Sequence, residues 1–161
     1  AYEADPGLRP RAVLVYGPFL QAAHRAEFDA RVAALGGRVR AFGFLDRLEH
    51  ALAGASGVVA MGGYNTFCEI LSFDKPAIIA PRVRPRLEQQ IRSAAAERLG
   101  LARVLHPERD GDGAGAMSAA IRAMPAQRRP SEVRLPGLLD GLETIAARAV
   151  AGVPAAAGAG G

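Results

Sequence analysis

Short apolar runs alternate with longer amphipathic stretches along most of this chain. Ala12 to Tyr16 is a continuous apolar run closed by Gly17-Pro18, which predicts a buried strand. Gln21 to Leu35 carries Phe28, Val32 and Leu35 at helical spacing with charges between them, and Gly36-Gly37 stops that helix. Arg38 to Phe42 predicts a second strand, and Asp46 caps a short helix through Leu48, Ala51 and Leu52. Gly57 to Met61 predicts a third strand, which runs into Gly62-Gly63 and a helix from Tyr64 to Phe73. Pro76 to Pro81 predicts a fourth strand, followed by an Arg-rich loop and a helix from Leu87 to Leu99. Ala102 to Leu105 predicts a fifth.

Strands separated by helices of this length imply right-handed crossovers and one parallel sheet covered on both faces, a Rossmann-like doubly wound α/β fold. The runs Val13-Leu14-Val15 and Ala77-Ile78-Ile79-Ala80 are expected to be buried on both sides. Beyond the fifth strand, Asp110 to Gly115 is a polar loop and Ala116 to Met124 a helix ended before Pro125. Residues 125–137 are expected to be a surface linker, and Leu138 to Val150 a last helix. The organisation expected is a leader over 1–11 from a truncated N-terminal part, one domain over 12–150, and a disordered Ala/Gly tail over 151–161.

Composition narrows this only a little. The 161 residues suffice for one domain with a core, half are hydrophobic, and no Trp is present, so that core is mainly aliphatic. The net charge of +4 comes almost wholly from Arg, with Lys75 the single lysine. Arginine forks suit phosphates, although an Ala/Gly/Arg-rich genome gives the same count. No stripe of Arg interleaved with aromatics supports nucleic-acid binding. Cys68 is the only cysteine, which excludes an internal disulfide and a thiol zinc cluster. His24, His50 and His106 have no ligand spacing, so no metal site is expected. No apolar run reaches the roughly 18 residues of a membrane span. With no signal peptide in the sequence, a cytoplasmic location is the default expectation.

The chemistry concentrates in Val58-Val59-Ala60-Met61-Gly62-Gly63-Tyr64-Asn65-Thr66-Phe67-Cys68-Glu69-Ile70. A buried strand ends, two glycines turn the chain, and a helix begins at once. Ligands of open parallel sheets bind beyond the carboxyl ends of the strands. The unpaired N–H groups and dipole of a helix start favour an anion, with phosphate the natural guest. The spacing is neither a dinucleotide fingerprint nor a P-loop. Two readings of Glu69 stand side by side. Thr66-x-x-Glu69 matches a capping box, in which the carboxylate turns back to its own helix. Alternatively the carboxylate faces the crevice and accepts hydrogen bonds from paired hydroxyls, as on a ribose.

The series Gly62-Gly63-Tyr64-Asn65-Thr66-Phe67-Cys68-Glu69-Ile70, Lys75-Pro76-Ala77-Ile78-Ile79-Ala80-Pro81 and Gln89-Gln90 resembles the C-terminal domain of glycosyltransferase family 28. That family includes the peptidoglycan N-acetylglucosaminyltransferase. The Gly-Gly-Tyr-Asn-Thr form is closer to a group of predicted bacterial glycosyltransferases of unassigned substrate. The resemblance spans Ala12 to Pro107 and implies the C-terminal, donor-binding half of a two-domain GT-B enzyme. It implies that Glu69 binds the ribose of a UDP-sugar, and that Gly62, Gly63, Asn65 and Thr66 meet the diphosphate and sugar. Gln89 and Gln90 would read hydroxyls of the transferred sugar, and Phe44 and Leu45 would pass the uracil edge through their backbone. The transfer implied is inverting and metal-independent, with N-acetylglucosamine a candidate sugar and no cofactor beyond the UDP-sugar substrate.

Three departures accompany the resemblance. The family's helix-ending Gly is Asp74 here, a residue that tolerates the left-handed conformation less well. Arg82-Val83-Arg84-Pro85-Arg86 is more basic than the family pattern, and is either a solvated loop or a holder of pyrophosphate or an anionic acceptor. The family's first Gly-rich strand of this domain has no counterpart. No residue looks like the general base that deprotonates an acceptor. In the family that base belongs to the N-terminal acceptor domain, so the chain is expected to bind a donor and catalyse nothing alone. A lipid-carrier acceptor would bring the full-length protein to the inner membrane's periphery. Two rivals stay open: a UDP-sugar 2-epimerase fragment, and a noncatalytic Rossmann-like binding domain.

Overall fold

A computed structural model of the chain describes residues 1–82, 87–110, 113–133, 135, 137 and 145–148. Strands and helices alternate as the periodicity predicts. β1 (Ala12–Val15), α1 (Ala22–Ala33), β2 (Val39–Phe42), α2 (Leu48–Gly54) and β3 (Val58–Ala60) come first. α3 (Tyr64–Ser72), β4 (Ala77–Ile79), α4 (Glu88–Arg98) and β5 (Arg103–Val104) follow. A helical turn, α5 (Pro107–Asp110), and α6 (Ala114–Ala123) come next, then 3-10 turns at Met124–Ala126 and Pro130–Glu132. The sequence pattern missed α5 and read its last residue as loop.

All strand pairs are parallel, but they form two sheets where one was expected. β1 pairs with β2, Ala12 opposite Val39, and β3-β4-β5 form a separate three-stranded sheet. β4 behaves as its apolar run demands. Ala77 and Ile79 pack with Ile70, Leu71, Ala96, Leu101 and Val104 of one cluster, while Ile78 turns to Leu105, Ala120 and Met124 of another. The strand therefore shows opposite faces to opposite helices. At the far end of β3's approach, a side chain on Gly57 would collide with Met124. β1 corrects the expectation of double burial: Val13 is 56% and Leu14 40% exposed. α1 buries none of its residues fully either: Phe28, stacked on Tyr16, and Val32 are only half-buried.

Three local expectations also change. Asp46 does not cap α2; Arg47 holds the cap position and no side chain bonds there. Residues 125–133 dock instead of merely linking. Gln127 Nε2 donates to the Ala77 carbonyl at 2.9 Å, and Val133 packs on the larger cluster. Segment 1–11 is anchored on both sides. Leu8 is buried, Arg31 Nε donates to Glu3 Oε1 at 2.9 Å, and Arg122 Nε donates to Asp5 Oδ2 at 2.8 Å.

Of the expected last helix only residues 145–148, which are helical, fall among the described ones, and the 151–161 tail lies outside them. Among the described residues no helix is long and apolar enough to cross a membrane.

Candidate functional site

The Gly62-Gly63 turn leaves the carboxyl end of β3 and enters α3 directly. Its two glycines answer different demands. Gly62 sits at φ +77°, and a Cβ there would lie 2.8 Å from Ile79 Cγ2 and 3.1 Å from Ser93 Oγ. Only glycine fits between β4 and α4 in that conformation. Gly63, at φ −55° and ψ 150°, has ordinary angles, and a Cβ on it would meet nothing within 4 Å. Open space therefore begins at Gly63.

Gly63 is also the cap residue of α3, and no side chain caps the helix. Phe67 N–H donates to the Gly63 carbonyl at 2.9 Å and closes the first turn. The N–H groups of Tyr64, Asn65 and Thr66 precede that bond and find no acceptor among the described residues. Thr66 lies inside the helix and is not its cap, so the capping box does not form. Glu69, half-buried, has no hydrogen bond or ion pair among the described residues. The carboxylate is thus not turned back on its own backbone, and it stands one turn from the unpaired amides.

α4 backs this turn. Arg92 Nη1 donates to the Gly62 carbonyl at 3.0 Å, and its guanidinium lies 5.4 Å from the centre of the exposed Tyr64 ring. Buried Ser93 donates from Oγ to the Gln89 carbonyl at 2.6 Å. Gln89 Oε1 accepts the Arg82 N–H at 3.1 Å, which leaves its NH₂ group for other partners. Gln90 is half-buried and makes no side-chain hydrogen bond among the described residues. The structure thus brings Gly62, Gly63, Asn65, Thr66, Glu69 and Gln89 around one turn. Phe44, 75% exposed, and Leu45 follow the carboxyl end of β2, in the other sheet, and no hydrogen bond among the described residues joins them to the turn. The basic loop at 83–86 lies outside the described residues.

Arg92 escaped the sequence reading, although its spacing was available. Gln89, Arg92 and Ser93 stand at i, i+3 and i+4 and share one face of α4. Asp74 is the other surprise. It takes φ +52°, the only positive φ at a non-glycine among the described residues. Its N–H donates to the Leu71 carbonyl and the next N–H, of Lys75, to that of Ile70, the paired bonds of a Schellman end. Its carboxylate accepts the Ser131 N–H at 2.8 Å and the Ser131 hydroxyl at 2.9 Å, bonds a glycine could not make.

Among the described residues, no three His, Cys, Asp or Glu side chains gather as a metal site. Cys68 is half-buried on α3, and His24 and His50 are exposed.

Comparison with solved structures agrees with this architecture. The chain is similar to the glycotransferase of kitacinnamycin, with 19% identity and a TM-score of 0.51 over 75% of this chain and 36% of that one. It is also similar to the spinosyn forosaminyltransferase SpnP, at 17% identity and TM-score 0.46. A third is the glycosyltransferase SnogD from Streptomyces nogalater, at 18% and 0.41. The coverages are 86% of this chain and 44% of SpnP, and 90% and 43% for SnogD. The chain thus spans less than half the length of each, and its fold is that of the Rossmann-like C-terminal half of a GT-B glycosyltransferase. No curated protein matches it. The family description that does match, over residues 13–108 and so across both sheets, the glycine turn, Glu69 and the Gln89-Gln90 pair, places the chain in a family: it belongs to the glycosyltransferase family 28 C-terminal domains.

Proposed function

We propose that the chain is the donor-binding domain of an inverting, metal-independent glycosyltransferase that uses a UDP-sugar. The observation that carries this is the opening of α3. There, the amides from Tyr64 to Thr66 find no acceptor among the described residues, a Cβ on Gly63 would meet none of those residues within 4 Å, and Glu69, without a partner among them, follows one turn later. A diphosphate suits the amides and the dipole, and the paired hydroxyls of a ribose suit the carboxylate. Gln89 and Gln90 would read the transferred sugar, and Phe44 and Leu45 the uracil edge. N-acetylglucosamine is the candidate sugar, on the family's kinship with the peptidoglycan enzyme.

In the transfer, an acceptor hydroxyl attacks the anomeric carbon from the face opposite the diphosphate. The bond from that carbon to the β-phosphate oxygen breaks, and its electron pair leaves with UDP. Negative charge grows on the departing diphosphate, where α3 presents its unpaired N–H groups. The acceptor's proton goes to a base supplied by an N-terminal acceptor domain, so this chain alone binds the donor without turning it over. Cytoplasmic placement, with contact to the inner membrane's periphery if the acceptor is lipid-linked, completes the reading.

Calorimetric titration with UDP tests it. Glu69→Ala is expected to weaken UDP on the order of tenfold, the size of a hydrogen bond to a charged group. EDTA is expected to leave the affinity unchanged. Undiminished affinity in Glu69→Ala would remove the ribose assignment. Epimerised UDP-N-acetylglucosamine, formed by the full-length protein without acceptor, would end the transferase reading in favour of a 2-epimerase.

A further inference from the structure

Among the described residues, the Gly62–Gly63 peptide is held from one side, by Arg92. Its Nη1 donates to the Gly62 carbonyl at 3.0 Å from the second turn of α4. A trans peptide carries its C=O and its N–H on opposite sides. Fixing the Gly62 carbonyl toward α4 therefore turns the Gly63 N–H away from α4, where no acceptor among the described residues takes it. The alternative orientation of this peptide would aim the Gly62 carbonyl, a partial negative charge, into the open space over Gly63. That would repel an anion. Gly62 has no side chain to resist such a flip, so the turn's backbone is free to rotate unless something grips it. The Arg92 guanidinium is itself steadied by lying 5.4 Å from the centre of the Tyr64 ring. Buried Ser93, the next residue of α4, lies against Gly62 and limits the room for movement.

We propose that Arg92 is a positioning residue, which sets the Gly62–Gly63 peptide so that the Gly63 N–H joins the helix-opening amides as a donor to the diphosphate. The assignment rests on the donor-site reading above and adds to it a residue that fixes the polarity of the turn. Nucleotide phosphates feel this residue, and the nucleoside does not.

The test uses the whole chain with UDP and uridine as probes, in calorimetry and in amide NMR. Arg92→Met keeps the length of the side chain without donor or charge. It is expected to weaken UDP at least on the order of tenfold and to leave uridine within about twofold. In the unsubstituted protein the Gly63 amide resonance is expected to shift on saturation with UDP, and in Arg92→Met to stay in place. Arg92→Lys, which keeps a cationic donor, is expected to recover part of the loss. Equal loss of UDP and uridine in Arg92→Met would reduce Arg92 to general structural support and overturn the proposal. So would unchanged UDP affinity, or a Gly63 amide in the unsubstituted protein that ignores bound UDP. Failure of the unsubstituted protein to bind UDP at all would instead overturn the donor-site reading, and this assignment with it.

Discussion

The β1-β2 sheet and the β3-β4-β5 sheet are made of similar residues and packed very differently. In the second, Ala77, Ile78 and Ile79 of the central strand are fully buried, with α3 and α4 residues on one face and α6 residues on the other, while β3, expected to be buried, leaves Val59 47% exposed. In the first, Val13 and Leu14 stay open to solvent and α1 buries none of its residues. An apolar run thus states what a strand could bury, and the facing helix decides whether it does. The difference bears on the site. The glycine turn joins β3, where Val59 is itself exposed, to α3, which buries Ile70 and Leu71 in the larger cluster. Phe44 and Leu45 follow the loosely packed one.

Substitutions can break this contrast. Ile78→Ala empties a site with no exposed surface, and a loss of about 2–5 kcal/mol in chemical denaturation is expected. Gly62→Ala combines a left-handed backbone with collisions against Ile79 and Ser93, and should cost roughly 2–4 kcal/mol by the same measurement. Gly63→Ala, in open space, is the control: stability is expected to hold while UDP affinity falls. Asp74→Ala keeps the left-handed strain and loses the Ser131 bonds, for about 1–2 kcal/mol, whereas Asp74→Gly relaxes the strain and should cost less.

A weaker effect comes from the ion pairs beside β5. Hydrogen bonds from Arg109 hold the Glu97 carboxyl below its ordinary range, and Arg109 and the His106 N–H do the same for Asp110. Because the folded-state pKa values are depressed, this stabilisation is complete above the usual carboxylate range and is lost as pH falls through the folded values. Melting temperature measured against pH should fall less steeply in Glu97→Gln than in the unsubstituted chain; an equal slope would deny the pair any role. Smallest of all, Leu14→Ala should cost less than about 1 kcal/mol. A loss as large as that of Ile78→Ala would erase the distinction between β1 and β4.

The strands and their order were legible because their apolar runs and glycine stops are local. The turn from β3 into α3 was legible for the same reason: Gly62 to Glu69 lie within a few residues of one another, although the spacing alone left two readings of Glu69. What escaped depends on distance along the chain. Leu14's exposure leaves no mark in its own apolar run. The Arg122–Asp5 pair joins residues 117 apart, and no periodicity announces it. Arg92 lay between: its spacing from Gln89 was visible, but its partner, a backbone carbonyl thirty residues earlier, has no signature in the side chains.

Asp74 has a consequence for how the binding helix can move. α3 is short, with no side chain capping its front end and its rear end moored through Asp74 to Ser131, in the segment that follows α6. A glycine there would keep the backbone bonds of the helix end and lose the link to Ser131. The mooring ties the end of α3 to the docked 125–133 stretch, so a change at Ser131, 57 residues along the chain, acts on the helix that opens at Gly63.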